Sequence, residues 1–455
     1  MKAALSGVLG FVQADYADIR VEEIERTRIL YRGKTREEVT RSFEVGGCLR
    51  VFKNGNWAVA SFNRLEGGLK DLAQDTATQV ELMSPQDEAL VTLPPADEMI
   101  TMKPDADPTG IPLDAKVDLI HKYNDILLRE PRITTTSSLY QDTLVKGYFY
   151  SSENRYIAQQ KAYSGVALYA VARDGANVQD FGKSFGKTSG FSALLGLEPE
   201  IEKIARITLG LLTAEKVRAG KYTVIIDPLL AGVFAHEAFG HLSEADFLYQ
   251  NERLGELMKI GTLYGIPGLA IVDDGSLALE RGSIAFDDEG VPTGKTYLIQ
   301  DGRIRHHLHS RQTARKMGED VTGNARALSY RFAPIVRMTN TYIEPRATKL
   351  ATMLDGIEDG LYVAGARGGM TELESFTFSS QYAYRIENGR RTDKMVRDVV
   401  LSGSIFETLK NIDAIGDDLE LHGGLGGCGK AGQSPLPTGT GGPHVRIRNV
   451  IIGGK

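Results

Sequence analysis

The stretch 222-YTVIIDPLLAGVFAHEAFGHLSEADFL-248 decides how the second half of the chain folds. Its first six residues have the apolar, β-branched composition of a buried strand. Asp227 can cap a helix that begins at Pro228, because a side-chain oxygen at that position accepts hydrogen bonds from the first free backbone N–H groups. The residues that follow predict a helix over 228–248, placed directly after a core strand.

This predicted helix carries two histidines, His236 and His241, with Glu237 beside the first. In the zinc-peptidase signature His-Glu-x-x-His the imidazoles are four residues apart, about 40° around an ideal helix, whereas a spacing of five gives about 140°. A π-bulge adds one residue to one turn and would bring both rings onto nearly the same face. We expect this departure from regular helical bonding at Phe239 or Gly240.

The three polar side chains of the helix suit metal-assisted hydrolysis. Two imidazoles can hold a zinc ion, and the carboxylate of Glu237 can take a proton from water that the ion acidifies. A catalytic zinc usually takes three protein ligands. Glu244 is a candidate for the third, although its spacing of three from His241 equally suits a carboxylate that orients the imidazole. Without a metal, the histidines would be ordinary polar positions.

Cys428 is the distal candidate for the third ligand. It lies in 421-LHGGLGGCGKAGQ-433, where six glycines would let the backbone approach a site closely. Lys430 and a bound metal would both favour the thiolate form. The alternative is a glycine-rich turn with an inert thiol.

Two other segments are weaker candidates for metal binding. His306, His307 and His309 offer two imidazoles on one face of a strand, but no carboxylate neighbours them in the sequence. The run 286-FDDEGVPTG-294 lacks the alternating oxygen ligands of a calcium-binding loop, so we expect a turn with solvated acids. Neither standard glycine-rich nucleotide motif occurs in the sequence.

Composition limits the class of protein. The 455 residues are too many for one core, and 42% hydrophobic and 25% charged residues are typical of a soluble globular protein. No apolar run is long enough to span a membrane. A net charge of −6 makes nucleic acid a poor partner. With only Cys48 and Cys428, we expect a reducing cytoplasm and no disulfide framework, and Cys48 should fill a core.

Hydrophobic periodicity predicts an α+β protein of two domains. An N-terminal α/β domain should cover residues 1–217, and a β-rich C-terminal domain that carries the metal-binding helix should cover 218–455. The sequence predicts strands within 16–62 with a hairpin turn at Asn54-Gly55, helices over 65–82 and 114–129, strands within 133–171, a helix over 198–221, and short strands after Gly265, including hairpins in 296–310 and 382–403.

The motifs 236-HEAFGHLSEAD-246 and 428-CGKAGQ-433 together resemble the TldD/PmbA metallopeptidase family, also called modulators of DNA gyrase. The resemblance continues through 272-VDDG-275, 287-DDEGVPTG-294 and 337-RMTNTYIEP-345. The segment 365-GARGGMTELESF-376 departs from the bacterial TldD pattern, whereas both metal motifs are intact.

The resemblance implies a zinc ion held by His236, His241 and Cys428, with Glu237 as the general base. It also implies a TldD-type catalytic subunit that accepts extended, unstructured peptides in a site enclosed between the domains. Family members form homodimers or heterodimers with a TldE/PmbA-like subunit, so the same partners are expected here.

These observations give a main hypothesis and two alternatives. The main hypothesis is a cytoplasmic zinc-dependent peptidase that hydrolyses extended or unfolded peptides. The first alternative is a non-catalytic binding or assembly subunit that regulates other proteins, in a gyrase-related or toxin-related role. The second is a metal-dependent amidohydrolase for small molecules, which would differ in the size of its cavity.

Overall fold

A computed structural model gives the fold and describes residues 1–65, 67–102, 107–372 and 374–453. Residue 66 of the predicted helix 65–82 and residues 454–455 of the predicted second domain lie outside this description. The first half combines long strands with four helices among its described residues. The helices are α1 (Lys2–Leu9), α2 (Leu69–Glu81), α3 (Leu113–Leu128) and α4 (Glu198–Thr213). The strands are β1 (Tyr16–Arg32), β2 (Thr35–Lys53), β3 (Asn56–Phe62), β4 (Ala96–Ile100), β5 (Ile133–Ser151), β6 (Arg155–Asp174) and β7 (Asn177–Lys187).

The strands of the first half form one twisted, mostly antiparallel sheet. Strands β3, β2, β1, β5 and β6 lie side by side in that order, and β4 and β7 both pair with β6. Asn54 and Gly55 join β2 to β3 with positive φ angles of 50° and 76°, as a tight hairpin turn requires. The predicted hairpin is therefore confirmed.

The helices cover the sheet through their apolar faces. Leu5 of α1 and Val80 of α2 pack with Ile19 of β1 in one cluster of buried residues. Tyr123 of α3 and Ile204 of α4 belong to a second cluster that lies farther along the same sheet. Cys48 is buried within the sheet, as the sequence predicts.

The helix predicted over 198–221 is too long, because α4 ends at Thr213. Ala214 is extended, with ψ of 134°, and the next two residues form β8 (Glu215–Lys216). This short strand pairs in parallel with Val396–Arg397 of the second half. Backbone pairing with a distant strand has thus replaced the last turns of the predicted helix.

Short strands dominate the second half. They are β9 (Gly220–Ile226), β10 (Ile271–Asp274), β11 (Lys295–Gln300), β12 (Arg303–Ile304), β13 (Ala325–Arg326), β14 (Ile335–Val336), β15 (Asn340–Ile343), β16 (Asp359–Glu372), β17 (Ser375–Glu387), β18 (Arg390–Arg397), β19 (Val400–Ser404), β20 (Ile412–Ile415), β21 (Glu420–His422), β22 (Cys428–Lys430), β23 (Gln433–Leu436), β24 (Gly439–Gly442) and β25 (Val445–Gly453). The helices are α5 (Pro228–Phe234), α6 (Ala245–Leu248), α7 (Glu252–Leu257), α8 (Arg311–Met317), α9 (Leu350–Leu354) and α10 (Ile405–Lys410). Both predicted hairpins form, as β11 with β12 and as β17 with β18.

Two larger sheets enclose α5. One has the strand order β16-β9-β25-β19-β17-β18-β8, with β20 added to β25, and the other has the order β12-β11-β10-β15-β24-β21. The helix contacts β16 of the first sheet and β24 of the second. Phe234 lies against the rings of Phe376 and Phe378 in the shared core. This confirms the predicted α+β class, with a β-rich second half built around one helix.

The acidic run at 287–289 is buried, so the prediction of solvated acids is wrong. Asp287 accepts hydrogen bonds from the backbone N–H groups of Val291 and Ala325 at 2.8 and 3.0 Å. Glu289 pairs with Arg50 of β2 at 3.0 Å. These carboxylates can be buried because backbone donors and a guanidinium replace their hydration. They also join the two halves of the chain.

Candidate metal centre

The helix that follows Asp227 changes its hydrogen bonding at the two histidines. Asp227 caps it by accepting a hydrogen bond from the backbone N–H of Leu230 at 2.8 Å, as predicted. Beyond α5, residues Ala235–Gly240 form a π-helical segment, which continues into a single 3-10 turn over His241–Ser243. The predicted departure from α-helical bonding is confirmed, and the π-helical segment, which begins at Ala235, includes both expected positions, Phe239 and Gly240.

The helix does not run to residue 248 as predicted. Glu244 is extended, with ψ of 111°, and forms a parallel bridge with Leu308. Helix α6 then starts at Ala245. Pairing with a segment some sixty residues farther along the chain therefore ends the helix immediately after its second histidine.

Gly240 packs closely against the buried side chain of Met338. A Cβ atom at this position would lie 2.1 Å from Sδ of Met338, far inside van der Waals contact. Its backbone dihedrals, φ −57° and ψ −51°, are ordinary helical values. The glycine therefore serves the approach of a neighbouring side chain and not a strained turn.

His236, His241 and Cys428 converge at this segment. One potential ligand atom from each residue lies within 4.8 Å of the other two. Sγ of Cys428 is 3.4 Å from Nε2 of His241, and the two imidazole centroids are 5.2 Å apart. Nδ1 of His236 is buried and has no hydrogen-bond partner among the residues that the structure describes. A metal ion would satisfy this nitrogen, so the donor set fits one.

The Cys428 thiol favours its ionised form. Burial opposes ionisation, but hydrogen bonds and charge from His236 and His241 outweigh it and lower the pKa of the thiol to about 5. A thiolate is the form in which cysteine binds metals.

Glu244 orients one imidazole of the cluster. Its Oε2 lies 2.9 Å from Nδ1 of His241 and 3.0 Å from Nζ of Lys430. Of the two roles that the sequence allows for this residue, the geometry matches the orienting carboxylate. Nζ of Lys430 also lies 2.7 Å from Asp246, so its charge is shared between the carboxylates of Glu244 and Asp246.

Glu237 is partly exposed beside the cluster. Its Oε2 lies 3.9 Å from Nε2 of His241, and its side chain is 30% exposed. The hydroxyl of Thr371, in the segment 365–376, donates to the backbone carbonyl of Glu237 at 2.8 Å. This bond fixes the backbone of Glu237, and the side chain is partly open to water next to the histidines.

Two members of the cluster, His236 and Cys428, line a cavity of about 270 Å³. Its wall also includes Glu237, residues Gly182, Lys183 and Ser184 of β7, and His422, Gly423, Gly424, Gly426 and Gly427 of the glycine-rich segment. The backbone N–H of Leu425 donates to the hydroxyl of Ser184 at 2.8 Å, which fixes the glycine-rich segment against the first half. The expected close approach of this backbone is confirmed.

Sequence reasoning missed several residues of the cavity wall. Lys183 and Ser184 carry no motif, and only the pairing of β7 with β6 brings them to the site. His422 lies in the glycine-rich segment that also contains Cys428, so its position in the sequence was a usable signal.

Comparison with known families identifies the chain. The model of the "PmbA/TldA metallopeptidase C-terminal domain" matches residues 219–454, and the models of domain 1 and of the central domain match 17–79 and 106–218. The chain belongs to the PmbA/TldD metallopeptidase family. A metalloprotease of Synechocystis sp. is 42% identical to it, over 97% of this chain and 95% of that protein.

More distant relatives agree with this assignment. A protein of Saccharolobus solfataricus described as a zinc metalloprotease TldD homolog is 28% identical, over 97% of each chain. The crystal structure of TldE from Thermococcus kodakarensis superposes with a TM-score of 0.82 at 18% identity, covering 100% of both chains, which shows a shared fold. Among the described residues, none of the helices is long and apolar enough to cross a membrane.

Proposed function

We propose that this member of the PmbA/TldD family is a TldD-type, zinc-dependent peptidase that hydrolyses extended or unfolded peptides. The observation that carries the proposal is the convergence of His236, His241 and Cys428 beside a cavity that His236 and Cys428 line, with the Glu237 carboxylate 3.9 Å from the imidazole of His241. Two imidazoles and a thiolate with an adjacent free carboxylate are the parts that zinc-assisted hydrolysis needs. A purely structural subunit would have no use for this combination.

The chemistry divides between the ion and the side chains. His236, His241 and Cys428 would hold the zinc ion, which supplies a Lewis acid toward the scissile carbonyl and toward water. Glu237 accepts a proton from the attacking water and later delivers it to the leaving amine. Glu244 keeps the proton of His241 on Nδ1, so that Nε2 faces the ion.

The shape of the site favours a peptide over a small amide. The cavity at the cluster and a neighbouring one of about 510 Å³ share the wall residues Lys183, Leu229, Gln381 and His422. The two cavities are therefore neighbours, and Glu237 lines the smaller one, so we propose that an extended chain occupies both. A small-molecule amidohydrolase would need only the first cavity.

We also propose the remaining properties that the sequence predicts. The boundary between the domains is placed at 217/218, and the chain functions in the cytoplasm, as its two free cysteines suggest. It assembles as a homodimer or with a TldE/PmbA-like subunit, since TldE shares its fold. Light scattering on the chain alone, and on the chain mixed with such a subunit, would distinguish the two assemblies.

The decisive experiment replaces Glu237 with Gln. The variant keeps its size and its zinc ligands but has no proton acceptor, so hydrolysis of an unfolded peptide should fall about 10²-fold to 10⁴-fold while zinc content is unchanged. Glu256→Gln, at an exposed position on α7, is the matched control. Full activity of the Glu237→Gln protein would refute the mechanism, and a wild-type protein without zinc or activity would favour the non-catalytic alternative.

A further inference from the structure

A second group of metal-binding side chains lies outside the candidate metal centre. His307, His309 and Glu319 each offer a ligand atom within 4.8 Å of the other two. His307 and His309 are 3% and 1% exposed, and the Glu319 side chain is 18% exposed. The sequence shows no carboxylate near these histidines, but Gly318 ends α8 with φ of 70° and directs Glu319 back toward them. The expectation of no nearby carboxylate is therefore wrong.

Hydrogen bonding determines which nitrogen of His307 is free. Its Nε2 lies 2.8 Å from the backbone carbonyl of Met258, and since a carbonyl only accepts, this nitrogen carries a proton. Its Nδ1 lies 2.9 Å from Oε1 of Glu319. In a neutral ring this second nitrogen presents a lone pair to a carboxylate, which is unfavourable unless a proton or a cation lies between them.

His309 also directs a ring nitrogen at the Glu319 carboxylate. Its Nδ1 is 3.1 Å from the hydroxyl of Thr313, and its Nε2 is 3.1 Å from Oε2 of Glu319. The planes of the His307 and His309 rings are inclined by 76°, so their nitrogens approach the carboxylate from different directions. Two nearly inaccessible imidazoles thus converge on one carboxylate.

We propose that His307, His309 and Glu319 bind a structural zinc ion. Two imidazole nitrogens and one carboxylate oxygen are a common zinc donor set, and the exposed part of Glu319 leaves room for a water molecule as the fourth ligand. Ligand atoms around one tetrahedral zinc are about 3.4 Å apart. The present nitrogen to oxygen separations of 2.9 to 3.1 Å are within a small side-chain movement of that value.

The proposed ion would also stabilise the backbone that positions the first metal centre. Leu308, between the two histidines, donates its backbone N–H to the carbonyl of Ser243 at 2.8 Å, and its carbonyl accepts from the N–H of Ala245 at 3.0 Å. These bonds hold both neighbours of Glu244. An ion that fixes residues 307–309 therefore fixes the carboxylate that orients His241, and this last step rests on the proposed function.

Metal analysis of the full-length protein, purified without chelator, tests the site. Wild type should carry about two zinc ions per chain, and His307→Ala and Glu319→Gln about one. His306→Ala is the matched control, because it removes an exposed imidazole from the same segment and should keep both ions. Cys428→Ser should lose the other ion. Glu319→Gln protein that keeps as much zinc as His306→Ala would overturn the second site, whereas zinc retention by Cys428→Ser would instead contradict the catalytic centre.

Cobalt titration provides a test that needs no change at the second site. In Cys428→Ser protein from which bound metal has first been removed with a chelator, added Co²⁺ should give the visible absorption of a tetrahedral ion without the charge-transfer band that a thiolate ligand produces. One equivalent should be bound in this way, and zinc should displace it. Absence of this absorption in the folded protein would overturn the proposal.

Discussion

Oε2 of Glu244 lies 2.9 Å from Nδ1 of His241, and the carboxylate is completely buried. Because a carboxylate accepts, it holds a proton on Nδ1 of the imidazole, so Nε2, which faces Cys428, is the nitrogen left for a metal ion. Burial opposes the charge of Glu244, but His241 and Lys430 outweigh it and lower its pKa. The pair therefore fixes the orientation of the His241 ring, with Nε2 directed toward the place where a metal ion would bind.

Replacing Glu244 with Gln should weaken metal binding without removing a ligand. The amide can still accept from Nδ1, but the charge that supports the imidazole is lost, so zinc affinity should fall about 10-fold to 100-fold. Competition with a chromophoric chelator measures this affinity. Glu256→Gln, exposed on α7, should bind zinc like wild type. Equal affinities for both variants would show that Glu244 does not support the site.

Replacing Lys430 with Met should destabilise the fold. Nζ of Lys430 lies 3.0 Å from Glu244, and the two side chains are 6% and 0% exposed. Removing the ammonium group takes one of two compensating charges from the buried Glu244 carboxylate and the pairing cation from Asp246, which costs up to about 3 to 5 kcal/mol of unfolding free energy. Urea unfolding measures the loss, and a second Glu244→Gln change should recover part of it. Strictly additive losses in the double variant would contradict this coupling.

The grouping of His236, His241 and Cys428 could be predicted because two short motifs carry it. The π-helical segment followed from the spacing of the two histidines, since residues five positions apart cannot share one face of a regular α-helix. The wall residues Lys183 and Ser184 could not be predicted, because an unremarkable strand is brought to the site only by pairing within the sheet of the other half.

The errors in the fold arise from contacts between distant segments. Asp287 and Glu289 resemble solvated turn residues in sequence, and their burial depends on backbone donors and on Arg50, which the sequence places far away. The end of α4 is set by β18, with which Glu215 pairs. Local patterns predict the elements, but partners far along the chain decide where those elements end and which polar groups are buried.

Gly240→Ala should reduce stability because of Met338. The added methyl group would meet Sδ of Met338 at 2.1 Å, and overpacking of this kind costs about 1 to 3 kcal/mol. Gly7→Ala is the matched control, because nothing lies within 4 Å of a Cβ atom there and the exchange should be neutral or stabilising by about 0.5 to 1 kcal/mol. Thermal unfolding of both variants measures the difference. Equal stability of the two would show that the approach of Met338 does not require the glycine.

His422 should make stability depend on pH below neutrality. Burial, and then the charge of Lys183, lower its pKa to about 4, and its Nε2 has no hydrogen-bond partner within the described ranges. An unfolded histidine titrates near 6.5, so between about pH 6.5 and pH 4 the unfolded chain binds more protons than the folded chain. The contribution of His422 to the free energy of unfolding should therefore be fully present above about pH 6.5. Up to about 3 kcal/mol of it should be lost as the pH drops to 4. Urea unfolding across this pH range should show this dependence of the unfolding free energy on pH in wild type. The dependence should be weaker in Lys183→Met and absent in His422→Gln. A slope in His422→Gln as steep as that of wild type would assign the effect to other groups.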